Sequence, residues 1–145
     1  MATAKLYGSF LGKALNKEVD YDTDTIKVAL LTSSYTPNQD THDYLDDVVA
    51  NEVSGTGYTA GGATLASKTL TYDGANNVTV LDAADVTWSA SSITARYAVI
   101  YDATPGTNAT RPLIGYVDFG SDQSSTAGDF TITWDSTGIV RLTVA

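Results

Sequence analysis

A chain of 145 residues with a formal charge of −9 is long enough for one ordinary domain and too acidic to track a phosphate backbone. Eight Lys and Arg against 17 Asp and Glu leave nothing for a broad basic face, so neither nucleic acid nor an anionic membrane surface is an expected partner. There is no cysteine, which removes disulfide frameworks, zinc–thiolate and iron–sulfur centres and thiol catalysis together.

No apolar run approaches the ~20 residues of a membrane span. The start, Met1-Ala-Thr-Ala-Lys5-Leu6, lacks a basic stretch followed by an apolar one, so no secretory leader is expected. Among the acids only Glu18 and Glu52 are glutamate; the rest are aspartate, a turn and cap residue. With threonine, tyrosine and valine abundant, the composition is that of a β protein with polar loops.

Leu6, Phe10, Leu11, Ala14 and Leu15 form one stripe on a 3.6-residue period and predict a short helix from about Ala4 to Asn16, with Thr3 at its start. After Asp20-x-Asp22-x-Asp24, the run Ile26–Thr32 reads as a buried strand. A turn through Pro37 follows. Asp40 to Val49 then predicts a second short helix, with Tyr44, Leu45, Val48 and Val49 on one face. Asn51 to Gly62 is glycine-rich and loop-like.

From Ala63 onward, alternation and turn signals recur. Candidate strands are Thr64–Tyr72, Asn77–Leu81, Val86–Ala90, Ile93–Tyr101, Leu113–Phe119, Asp129–Trp134 and Ile139–Val144. The expectation is a mainly β fold: one antiparallel β-sandwich of about seven or eight strands over residues 1–145, with one or two short helices in the N-terminal third and residues 1–17 a helical segment.

Candidate chemistry is sparse. His42 is the only histidine, and no Gly-x-Ser-x-Gly elbow accompanies it, so it reads as a surface residue. Asp20, Asp22 and Asp24 resemble the first half of a calcium loop, but Thr25 and Leu31 stand where glycine and glutamate are needed. Asp40, Asp43, Asp46 and Asp47 form a second acidic cluster that helix-dipole complementarity explains without a ligand.

Gly55, Gly57, Ala60 and Gly62 faintly match two nucleotide signatures, in the wrong context: helix before, strand after. Asn77-Val-Thr79 and Asn108-Ala-Thr110 are glycosylation sequons with no leader beside them. Trp88, Trp134 and the nine tyrosines read as core or interface rather than as a sugar platform. Arg96 and Arg141 lie inside apolar strands, where an arginine pairs with an aspartate or meets a subunit. No catalytic residue, cofactor site or metal site is expected, and the residues alone support an acidic, soluble, β-rich structural or binding module.

Four stretches are distinctive in their order. They are Glu52-Val-Ser-Gly55-Thr-Gly57-Tyr58-Thr-Ala-Gly61-Gly62, Asp85-Val-Thr-Trp88 through Arg96-Tyr97, Pro112-Leu-Ile-Gly115-Tyr-Val-Asp-Phe-Gly120, and Phe130-Thr-Ile-Thr-Trp134-Asp-Ser-Thr-Gly138. Together with Ala14-Leu-Asn-Lys-Glu18, they resemble a family of small structural proteins encoded by tailed bacteriophages, over nearly the whole chain.

The resemblance implies a non-enzymatic virion protein made in the bacterial cytoplasm. It points to a capsid decoration (cement) protein on the outer surface of the phage head. The implied partner is the major capsid protein, with a homo-oligomer, a trimer favoured, or copies around local symmetry axes. It further implies Trp88 and Trp134 in the core and Arg96 in a buried pair. The alternative is a tail, baseplate or head-fibre component that touches the host; a metal-dependent hydrolase is disfavoured.

The contact surfaces expected for docking are the segment Leu6–Leu15, with Leu6, Tyr7, Phe10 and Leu11, and the loop carrying Gly55, Gly57, Tyr58, Gly61 and Gly62.

Overall fold

A central strand with no polar side fixes the architecture. Ile26-Lys-Val-Ala-Leu-Leu31 sends Ile26, Val28 and Leu30 to one core and Ala29 and Leu31 to another, so the sheet around it is buried on both faces. The computed structural model describes residues 1–144.

In chain order the elements are β1 (Lys5–Leu6), α1 (Phe10–Leu15), β2 (Ile26–Leu31), β3 (Ala63–Thr64), β4 (Thr69–Asp73), β5 (Val78–Asp82) and β6 (Val86–Ser91). Then come β7 (Thr94–Asp102), β8 (Leu113–Ser124), β9 (Gly128–Ile132) and β10 (Val140–Thr143). They make a five-stranded sheet β1-β8-β7-β2-β3, a three-stranded sheet β10-β5-β4 and a two-stranded sheet β6-β9. All pairings between strands are antiparallel, and the expected mainly β class is the one observed.

The first core lies between the central sheet and the two smaller ones. Val28, Leu30, Ala98, Ile100, Ile114 and Val117 meet Leu81, Trp88, Phe130, Ile132, Trp134 and Val140 there. The second core lies on the other face, where Leu31, Val99, Tyr101 and Leu113 are roofed by Tyr7, Tyr35, Leu45 and Val48.

Two irregularities keep the long β7–β8 hairpin loyal to both cores. Strict alternation would put Ala95 and Ala98 on opposite faces, yet both enter the first core, because the register shifts between Ala95 and Tyr97. A second shift between Ile100 and Tyr101 does the same for Ile114 and Val117 on β8.

Both helix expectations are corrected. Residues 1–17 are not helical throughout: Lys5 and Leu6 pair with Tyr116 and Gly115 of β8, and the helix is confined to Phe10–Leu15. Gly8 and Gly12 weaken a longer helix, and the ladder to β8 satisfies the backbone that a helix would otherwise use. From Asp40 to Val49 there are only 3₁₀ turns, at Leu45–Asp47, with another following at Val49–Asn51. Tyr44 is extended and bridges Pro112, and the Leu45 amide donates to the Arg111 carbonyl, so this segment is pinned to the start of β8.

The expected strand Thr64–Tyr72 divides in two. Ala63–Thr64 joins β2, Ser67 takes a left-handed φ of 52°, and Thr69–Asp73 joins a different sheet. Strand β8 outruns its expected end at Phe119 and continues to Ser124.

Candidate functional site

The three-stranded sheet overhangs the core. Register places Leu70 against Leu81 and Leu81 against Val140; one step along, Tyr72 faces Thr79 and Thr79 faces Leu142. All six side chains therefore share one face. Leu81 and Val140 are buried in the first core, but Leu70 is 49% exposed and Tyr72 59%. The sheet thus carries its inward face past the material that covers it.

Helix α1 runs opposite this overhang. Phe10 is turned into the core, while Leu11 is 50% and Leu15 80% exposed. Between helix and sheet lies an apolar groove of about 510 Å³, walled by Phe10, Leu11, Ala14, Leu70, Leu81 and Leu142, with Lys17 and Asp20 among its polar residues. Lys13 holds the helix in place: its Nζ is 3.3 Å from Asp43 Oδ2, donates to the Asp43 carbonyl at 2.8 Å and sits over the Tyr44 ring.

Of the residues expected to make contacts, Leu11 is on the groove and Leu6 is half-buried beside the first core. Tyr7 and Phe10 are corrected: both are core side chains, at 1% and 3% exposure. The Tyr7 hydroxyl bonds Tyr35 at 2.7 Å, and Tyr35 in turn bonds His42 Nδ1 at 3.0 Å. Burial drives the Tyr7 hydroxyl far up and holds that of Tyr35 up at about 12, so both stay neutral donors and acceptors. The lone histidine is the outer end of this chain.

The glycine loop is a strap rather than a free arm. Glu52 Oε1 accepts from the Tyr58 hydroxyl at 2.7 Å and the Gly61 amide at 2.6 Å. The Tyr58 hydroxyl takes the Leu30 amide at 2.9 Å, and its ring lies 5.9 Å from that of Trp88. Tyr101 donates to the Gly61 carbonyl at 2.7 Å. Gly62, at φ 77°, lies so close to the Val28 backbone that a Cβ has no room. Gly55 and Gly57 are exposed; Tyr58, Gly61 and Gly62 are half-buried by these contacts.

The acidic motifs are closed on themselves. Asp20 Oδ1 accepts from the Asp22 and Thr23 amides, and Asp24 Oδ2 accepts from the Asp20 amide. The Lys68 ammonium then donates to the carbonyls of Tyr21, Asp22 and Asp24. Asp47 Oδ2 accepts from the Asp43 and Tyr44 amides. Among the described residues no three acidic or histidine side chains converge on a metal position.

Trp88 and Trp134 are buried, as expected of core residues. Arg96 pairs with Asp118 at 2.9 Å, but both side chains are partly exposed, which corrects the buried pair. Arg141 donates to the Thr137 carbonyl at the surface.

The groove takes its second wall from residues the sequence had placed in a strand but in no site: Leu70 and Leu142. The signal was present in Lys68-Thr-Leu70-Thr-Tyr72-Asp73, a six-residue alternation that looks like a buried face. Comparison with family models, with curated proteins and with solved structures finds no match to this chain.

Proposed function

We propose that the chain is a non-enzymatic structural protein of a tailed-phage virion, a decoration protein that docks on the outer surface of the major capsid shell. The observation that carries this reading is the exposed apolar rim of α1, where Leu11 and Leu15 stand in solvent beside an open groove. Exposed aliphatics gathered at a groove are what an interaction surface requires. The resemblance of the sequence motifs, in their order, to those of small phage structural proteins supplies the context. The charge of −9 suits a protein that must stay clear of packaged DNA and keep particles apart.

Quantitative mass spectrometry of purified particles tests the reading. Copies near the capsid-subunit count, or a simple fraction of it, are expected. A handful of copies would place the chain in a tail, baseplate or head fibre. Absence from the particle overturns the virion role.

A further inference from the structure

Strand β4 is the outer strand of its sheet, hydrogen-bonded to β5 on one side and, among the described residues, to no strand on the other. Exposed edges are normally blunted by a proline, a bulge or an inward-pointing charge. Here the five pairs from Thr69–Asp82 to Asp73–Val78 run without a register shift, and no proline interrupts them. The one lysine that could guard the edge, Lys68, is turned away to the carbonyls of residues 21, 22 and 24. Both apolar side chains of the strand, Leu70 and Tyr72, are about half exposed and share the groove face.

We propose that this edge pairs with the same edge of a second copy of the chain, antiparallel, about a two-fold axis at Thr71. In that register Thr71 faces Thr71 of the second copy, and Leu70 faces Tyr72 of the second copy twice over. Aliphatic–aromatic cross-strand pairs of this kind are favourable. A two-fold axis normal to the sheet keeps both groove faces on the same side, giving one six-stranded sheet from two three-stranded ones.

Five residues of strand pairing fall short of the about 800 Å² that each partner of a stable complex buries. The dimer is therefore a reversible one, with a dissociation constant on the order of 1–100 µM. The pairing does not depend on the virion role and is tested on the purified chain alone.

Sedimentation of the full chain across roughly 1–200 µM is expected to show a monomer passing to a dimer. A chain that stays monomeric, or that closes as a trimer, overturns the proposal. The double variants Leu70→Lys with Tyr72→Lys, and Leu70→Glu with Tyr72→Glu, place like charges opposite each other in this register. Each is expected to be monomeric, and an equal mixture is expected to recover the dimer. Dimers of either variant as tight as the parent's overturn it, as does a mixture that stays monomeric. Hydrogen exchange of the unaltered chain reads the same edge without any substitution: amide protection over 69–73 should rise with concentration, and protection independent of concentration overturns the proposal.

Discussion

The Asp102 carboxyl, fully buried at the end of β7, is anchored to Thr104 two residues on. Asp102 Oδ1 takes the Thr104 amide at 2.9 Å, and no N–H or O–H donor of the described residues reaches its Oδ2. Burial first, and Asp24 second, push the Asp102 carboxyl up to about 6. A raised carboxyl favours the protonated fold, so its contribution is fully present below the unfolded value of about 3.9 and is lost as pH rises to about 6. Asp102→Asn keeps the Oδ1 acceptor for the Thr104 amide and removes the titration. The variant is expected to gain on the order of 1–2 kcal/mol at pH 7 and almost nothing at pH 4, read by denaturant unfolding at both. Equal effects at the two pH values would show that Asp102 does not titrate between them.

The hydroxyl chain Tyr7–Tyr35–His42 makes a second test. Tyr35→Phe removes the middle hydroxyl and strands the Tyr7 hydroxyl in the second core. A loss of about 1–3 kcal/mol is expected. Adding Tyr7→Phe should cost less than it does alone, because the two hydroxyls bond each other; strict additivity would show that they act independently.

Two glycines should respond in opposite directions. Gly62→Ala drives a Cβ into the Val28 backbone at a left-handed φ, and a loss of about 2 kcal/mol or more is expected. Gly12 lies within α1 with open space around it, so Gly12→Ala should gain about 0.5–1 kcal/mol. Thermal unfolding of both variants decides; a Gly62→Ala protein as stable as the parent would remove the close approach.

Leu11→Asp separates docking from folding. The side chain is half exposed, so stability should stay within about 0.5 kcal/mol of the parent. Binding to purified capsid shells, measured by co-sedimentation, should fall at least tenfold. Undiminished binding would move the contact away from the α1 rim.

Strands were legible in the sequence because apolar and β-branched residues mark them locally: β2, β7 and the Phe130–Ile132–Trp134 stripe all stand near their expected places. The limits of the helices were not, because what cut them short is distant. Lys5 and Leu6 are claimed by β8, more than a hundred residues on, and Tyr44 by Pro112. The division of Thr64–Tyr72 turns on Ser67, whose left-handed backbone no propensity announces. The groove was half legible. Leu11 was visible on its stripe, but Leu70 and Leu142 look like core until the register sets them at the open end of the sheet, Leu70 half exposed and Leu142 only partly buried.

The Asp20–Asp24 turn needs a positive charge among its carbonyls, and it receives one from Lys68. A complete calcium loop takes its cation from solution, and its shape then follows the ionic conditions. Here the cation is a side chain of the same molecule. The anchoring of this turn to the start of β4 is thus made by the chain itself, through a side chain that arrives 44 to 47 residues after the carbonyls it holds.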